Sequence, residues 1–178
     1  MKSKIISISA ISSAIVAICL ILGSYIQFVD LISLVLSSFF VILPLYYNSY
    51  KGAFLSCIVA GVISLVATIP TMSFSIVLPA YFSFFGFYPI VKQLFIKYNM
   101  NKILAFVIGL VWCLIAFYAI YYLYIFVFLL PLDDLPQIIL DYILIFVGLA
   151  GLIFFVVFDR FLFTSKFFID RYLGKIIK

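Results

Sequence analysis

The feature that most constrains this chain is a succession of long apolar runs, with the charged residues confined between them. The runs cover about residues 5–25, 31–47, 52–69, 73–91, 103–130 and 137–158. A helix of about 20 apolar residues is long enough to cross the ~30 Å hydrocarbon core of a bilayer. The pattern therefore predicts an all-α membrane protein with six transmembrane helices, forming a single domain over residues 1–178.

The composition favours the same class. The chain is 69% hydrophobic and 10% charged, with a mean hydropathy of +1.41, whereas soluble domains are roughly 45–50% apolar. The first run follows a short basic segment, as in a signal peptide. Its length of about 20 residues and the runs that follow it predict a retained first helix instead.

The distribution of basic residues predicts the orientation in the membrane. All eleven Lys and Arg residues fall at the chain ends or in alternate loops. The loops of the opposite side contain Asp30, Asp133 and Asp134. Because positive loops stay inside, we expect a multi-pass protein of the cell membrane with both termini in the cytoplasm. Residues 160–178 are predicted to form a basic amphipathic tail on the anionic inner leaflet, with a continuation of the sixth helix as the alternative.

Several kinds of chemistry are missing from the chain. It has no histidine and no glutamate, which excludes His-based metal sites and His-dependent hydrolases. It also lacks the GxxxxGK[ST] loop that binds the phosphates of ATP. No ionisable residue lies near the centre of a predicted span, where ion-coupled carriers hold their coupling ion. We therefore expect no enzyme activity, no cofactor, no metal, no nucleic-acid partner and no power source within the chain itself.

The remaining polar chemistry is concentrated around the turn between the fifth and sixth runs. Asp134, Gln137 and Asp141 follow an i, i+3, i+7 spacing that places them on one helical face. Aromatic side chains beside carboxylates suit a flat or cationic solute, and the alternative is an interfacial aromatic belt. Asp141 is the strongest candidate, because an unpaired carboxylate within the membrane is the most costly. The candidate solute-binding residues are Asp141, Gln137, Tyr118, Tyr121, Tyr122, Tyr81, Asp134 and Asp30.

Two of the predicted helices carry faces of small residues, which let helix backbones approach closely in a membrane. In the third run we interpret this face as internal packing; its residues are Gly52, Ser56, Ala60, Ser64 and Thr68, with Ala53, Cys57 and Gly61 in an adjacent row. In the first run, internal packing and docking of a separate membrane subunit both remain open. The candidate docking residues there are Ala10, Ala14 and Ala17, in line with Ser3 and Ser7.

Two prolines interrupt the fourth run. Pro79 is predicted to kink or unwind the outer half of this helix, because proline removes a backbone donor and clashes with the preceding turn. Pro89 is predicted to end the helix near the inner interface.

The layout of six runs over 178 residues, the basic N-terminus and the Ala10-Ile-Ser-Ser-Ala14 pattern resemble the substrate-binding S component of energy-coupling factor (ECF) transporters. The resemblance implies that Ala10 and Ala14 dock on a transmembrane coupling subunit, which is driven by two ATPase subunits. It also implies that a vitamin-like micronutrient binds near the outer side, mostly from helices four to six. The absence of histidine departs from the nickel- and cobalt-type members. The alternative is a non-transporting integral membrane scaffold or assembly protein.

Overall fold

The described part of the chain is helical throughout. A computed structural model describes residues 2–69, 76–128 and 137–176, with side chains for 3–26, 28–69, 76–126, 142–165 and 167. A 3-10 turn, Gln27–Val29, precedes the second helix, and a π-helical segment, Tyr81–Phe85, follows the fifth. The eight α-helices are α1 (Lys2–Tyr25), α2 (Asp30–Val41), α3 (Leu43–Tyr46), α4 (Tyr50–Thr68), α5 (Val77–Ala80), α6 (Tyr88–Lys97), α7 (Lys102–Phe128) and α8 (Gln137–Ile176).

Four of the helices are long and apolar enough to cross a membrane. Their apolar parts are Ser3–Tyr25, Tyr50–Thr68, Lys102–Phe126 and Tyr142–Ser165, and a shorter apolar stretch covers Asp30–Tyr46. The predicted all-helical class is thus confirmed, and four helices have the length and composition of membrane spans. The predicted second and fourth spans correspond to interrupted elements, α2–α3 and α5–α6, so the count of six crossings stays a prediction.

The two interruptions have the same physical cause. Pro44 and Pro89 have no N–H, so the carbonyls four residues earlier lose their helical donor. A serine hydroxyl from a neighbouring helix replaces it in each case: Ser12 donates to the Phe40 carbonyl over 2.7 Å. Ser38 donates to the Phe85 carbonyl over 2.8 Å. Buried backbone groups must be paired in a membrane, so these serines allow the helices to break inside the bundle.

Pro89 interrupts the helix without ending it near the inner interface, so the sequence-based prediction for this residue is wrong. It lies at the second position of α6, which runs from Tyr88 to Lys97. Proline is well tolerated in the first turn of a helix, because the missing N–H would be unpaired there anyway. The break lies just before it, at Gly86 and Phe87, after the π-helical segment.

α1, α2 and α4 pack together through small side chains. The small face of α4 is buried, which confirms its interpretation as internal packing. Ser64 of this face donates to the Ala17 carbonyl of α1 over 3.3 Å, a hydrogen bond between the two helices. Small side chains allow two helix backbones to approach this closely, and large side chains would prevent it. The buried residues of this face are Ala53, Ser56, Cys57, Ala60, Gly61, Ser64 and Thr68.

An aromatic cluster connects the π-helical segment with α7 and α8. The rings of Phe84 and Tyr88 are stacked with centroids 4.7 Å apart. Phe155 and Phe158 of α8 pack against both of these rings. The Trp112 indole N–H of α7 donates to the Ser83 carbonyl over 3.0 Å, which pairs another carbonyl of the irregular backbone. The cluster therefore places α7 and α8 against the break between α5 and α6.

The C-terminal residues continue α8. The helix runs without interruption through the segment 160–176 and is 40 residues long. At 1.5 Å per residue it extends over about 60 Å, roughly twice the ~30 Å hydrocarbon thickness. A helix of this length must either tilt strongly or project beyond the bilayer.

Candidate functional site

The predicted solute site around the α7–α8 turn falls largely on residues without described side chains. Asp134 lies outside the described residues. Gln137 and Asp141 belong to the first turns of α8, where the structure describes the backbone alone. Their role in binding a solute stays a prediction.

The tyrosines of α7 lie in separate surroundings. The Tyr118 hydroxyl donates to the Leu144 carbonyl of α8 over 3.0 Å and so connects the two helices. The Tyr121 and Tyr122 rings meet edge to face with centroids 5.5 Å apart. Tyr122 is 47% exposed and stacks on Phe126. Tyr121 and Tyr122 thus lie side by side near the C-terminal end of α7, where Tyr121 is partly buried and Tyr122 is exposed.

Tyr81 is far more enclosed than the sequence suggests. Its side chain has no exposed surface, and its hydroxyl donates to the Cys57 carbonyl of α4 over 3.2 Å. A tyrosine can be buried fully when its hydroxyl has such a partner. In this arrangement Tyr81 connects α4 to the π-helical segment, and it is not brought together with Tyr118, Tyr121 or Tyr122.

Among the predicted site residues with described side chains, Asp30 has a side-chain oxygen that could still accept a hydrogen bond. It begins α2, directly after the turn that follows α1. Its Oδ1 atom is buried and has no hydrogen-bond partner. Burial raises the pKa of this carboxyl, and a hydrogen bond from its own backbone N–H opposes the effect. A desolvated acceptor without a donor is costly, so this oxygen is suited to an N–H donor or a cation.

The surroundings of Asp30 are firmly packed. The Ser33 hydroxyl donates to the Asp30 carbonyl over 2.7 Å. Gly23 of α1 faces Ser33 so closely that a Cβ at position 23 would come within 2.9 Å of the Ser33 Cβ. Tyr25, at the end of α1, donates to the Ala67 carbonyl of α4 over 3.4 Å. We call this part of the molecule, where α1 and α4 end and α2 begins, the Asp30 end.

A charged cluster that the sequence analysis missed lies toward the other end of the molecule. Lys92 of α6 forms an ion pair with Asp159 of α8, with 2.6 Å between Nζ and Oδ1. Lys92 also donates to the Asp159 carbonyl over 2.6 Å, and the Tyr88 hydroxyl donates to Asp159 Oδ1 over 2.7 Å. We call Tyr88, Lys92 and Asp159 the Lys92 cluster.

The sequence did contain a signal for this cluster. Tyr88 and Lys92 are four residues apart, so they share one face of a helix. A carboxylate such as Asp159 within an apolar helix needs a partner, because an isolated charge is costly there. On sequence alone, Lys92 is assigned to the loop after the fourth run, so its pairing with Asp159 is not predicted. In the structure this loop begins only after Lys97.

The three predicted docking residues of α1 differ in their exposure. Ala10 and Ala14 are exposed, on the side of α1 that faces away from the bundle. Ala17 is 3% exposed and lies at the contact with α4, where its carbonyl accepts the Ser64 hydrogen bond. A partner subunit can therefore reach Ala10 and Ala14 in this arrangement, and Ala17 belongs to the internal packing.

Among the described side chains, no three His, Cys, Asp or Glu residues lie together as a metal site would require. Comparison of this chain with protein-family models, with curated proteins and with solved structures finds no match.

Proposed function

We propose that this chain is the substrate-capture subunit of an ATP-driven micronutrient transporter, of the ECF S-component type. It binds a small solute near the outer face and docks on a transmembrane coupling subunit that works with two ATPase subunits. The observation that carries the proposal is the exposure of Ala10 and Ala14 on a helix whose opposite side is fully engaged with α2 and α4. In a membrane, an exposed small face is the surface that a second helix packs against.

The proposal includes a topology of six crossings with both termini in the cytoplasm. The broken elements α2–α3 and α5–α6 supply the second and fourth crossings, and the paired carbonyls of Phe40 and Phe85 support this placement. Unpaired carbonyls would exclude a helix break at membrane depth. In this topology all eleven basic residues lie on the cytoplasmic side, as the positive-inside rule requires. The Asp30 end then faces outward and the Lys92 cluster lies toward the cytoplasm.

The solute site is placed at the outer ends of the helices. Asp30 supports this placement, because its buried Oδ1 atom has no partner within the protein. The partly buried Tyr121 and the exposed Tyr122 belong to the same outer side. So do the predicted residues Gln137 and Asp141. The carboxylates favour a solute that carries an N–H donor or a positive charge.

Purification in a mild detergent from the native membrane tests the proposal. The chain is expected to bring with it a second membrane subunit and two ATPase subunits. Ala14→Trp should abolish this recovery by placing a bulky side chain in the contact, without loss of the folded chain. Leu55→Trp on α4, at a position that is 60% exposed, is the matched control and should retain the partners.

Ala17→Trp separates docking from folding. Because Ala17 is 3% exposed, a bulky side chain there should destabilise the chain itself. Recovery of all partners with Ala14→Trp would refute the docking surface. Recovery of a partner without any ATPase, together with no solute retained in native mass spectrometry, would support a membrane scaffold instead.

A further inference from the structure

The connection between α5 and α6 is built as a joint. Residues 81–85 form a π-helical segment, in which the Gly86 N–H donates to the Tyr81 carbonyl over 2.8 Å. A turn at Gly86 and Phe87 then separates this segment from α6. Single π-helical turns and proline breaks are the common sites of sharp kinks in helices, and π-helical turns occur frequently at functional sites.

The backbone of this joint is held by side chains from other helices. Ser38 of α2 donates to the Phe85 carbonyl, and Trp112 of α7 donates to the Ser83 carbonyl. A continuous helix would satisfy these carbonyls along its own axis. The direction of α6 is therefore set by contacts with its neighbours, and those contacts can be exchanged without breaking a helix.

An ion pair holds α6 against α8. Lys92 reaches both the carboxylate and the backbone carbonyl of Asp159, and Tyr88 donates to the same carboxylate. The Lys92 and Asp159 side chains are 15% and 23% exposed, so one side of the cluster reaches the surface of the molecule. This is the one ion pair among the described residues. A charge pair beside a helix break can be made or broken as one unit, as a switching element requires.

We propose that residues 81–87 are a hinge and that the Lys92 cluster is the latch that holds α6 against α8. In the closed arrangement α6 lies on α8, as observed. In the open arrangement the ion pair is broken and α6 turns about residues 81–87. The proposal does not depend on the transport function, because it follows from the joint and the ion pair alone.

A native cysteine reports on the hinge. Cys57 of α4 has no exposed surface, its carbonyl accepts the Tyr81 hydrogen bond, and its sulfur faces Gly86. Movement of residues 81–87 must uncover this thiol. Cys19 of α1 is also buried and lies on a helix that packs mainly against α2 and α4, so it reports on the rest of the bundle instead.

The test is the rate of alkylation of each cysteine by N-ethylmaleimide, measured by peptide mass spectrometry on the full chain in liposomes. Lys92→Met and Asp159→Asn are expected to raise the rate at Cys57 by roughly tenfold or more, because labelling follows the population of the open form. The rate at Cys19 is expected to stay within about twofold of that in the unmodified chain. Lys51→Met is the matched control, since it removes an exposed positive charge from α4, the helix of Cys57 itself; it should leave Cys57 protected.

Two results would overturn the proposal. An unchanged rate at Cys57 in both Lys92→Met and Asp159→Asn would show that the ion pair does not hold the joint closed. An equal rise at Cys57 and Cys19 would show that the ion pair stabilises the whole bundle and does not act as a latch. Tyr88→Phe, which removes one hydroxyl and keeps the ring packing, should give a smaller rise at Cys57 than either charge variant.

Discussion

The Ser38 hydroxyl lies 2.8 Å from the Phe85 carbonyl, the acceptor that Pro89 leaves without a helical donor. In the same way, the Ser12 hydroxyl donates to the Phe40 carbonyl, which Pro44 leaves without a helical donor. At both breaks a proline leaves one carbonyl of its own helix without a donor. A serine of a neighbouring helix donates to that carbonyl instead. This pairing makes the breaks at α2–α3 and α5–α6 compatible with a membrane interior.

Ser38→Ala is therefore expected to lower the free energy of unfolding by about 1–3 kcal/mol, the cost of leaving a buried acceptor unpaired. Ser37→Ala is the matched control. Ser37 is also fully buried, but it donates to the Leu34 carbonyl of its own helix, which keeps a backbone donor. The measurement is unfolding by SDS titration in mixed micelles. Equal losses for the two variants would mean that the Phe85 carbonyl does not depend on Ser38.

Asp30→Asn is expected to stabilise the free protein. Burial raises the pKa of Asp30 in the folded chain, so the folded state holds this proton more tightly than the unfolded state. The stability contributed by this group is complete below the ordinary pKa near 3.8 and is lost as pH rises through the raised folded value. The neutral amide removes this loss, so the variant should exceed the unmodified chain at pH 7 and match it near pH 3.

Asp159→Asn is the matched control for this variant and should have the opposite effect at pH 7. Asp159 is paired with Lys92, and removing one partner leaves a half-buried ammonium without its carboxylate. The expected loss at pH 7 is about 2 kcal/mol, below the ~3–5 kcal/mol of fully buried pairs because this pair is partly exposed. Unfolding midpoints at the two pH values distinguish the variants. Destabilisation by Asp30→Asn would show that Oδ1 already has a partner in the folded protein.

Gly23→Ala is expected to disturb the contact between α1 and α2. The added Cβ would meet the Ser33 Cβ at 2.9 Å, and this atom is fixed by the backbone of α2. Overpacking of this kind costs typically about 1–3 kcal/mol. Gly151→Ala is the control, because its nearest neighbour would be a flexible Leu114 methyl group at 3.2 Å. Thermal unfolding in detergent should separate the two; equal stability would mean that α1 and α2 can move apart freely.

Two asparagines end helices in the left-handed conformation, Asn48 with φ of 54° and Asn99 with φ of 51°. The N–H of the residue after each one donates to a carbonyl five residues earlier, at Pro44 and Phe95. This is the hydrogen bond of a Schellman helix end, where glycine is most favoured. Asn99→Ala should therefore cost about 1 kcal/mol, while Asn99→Gly should be neutral or stabilising. Comparison of the two unfolding free energies is the test, and an equal effect of Ala and Gly would exclude backbone strain as the cause.

The membrane class, the helical content and the internal role of the small face of α4 could all be predicted from the sequence. Each depends on the hydrophobicity and spacing of residues along one helix, which the order of residues determines directly. The exposed position of Ala10 and Ala14 could not be predicted in this way. A face of small residues has the same pattern whether it meets a helix of its own chain or a separate subunit.

What only the tertiary structure decided is which polar groups meet. Lys92 and Asp159 are 67 residues apart in the chain, and Ser38 and Phe85 are 47 apart, so local periodicity contains no information on their pairing. Tyr81 likewise belongs to an aromatic, site-like stretch of sequence, yet packing places its hydroxyl on the Cys57 carbonyl. The sequence determined that this chain occupies a membrane as helices. The need to pair every buried polar group, which is satisfied only after those helices assemble, decided the breaks and the ion pair.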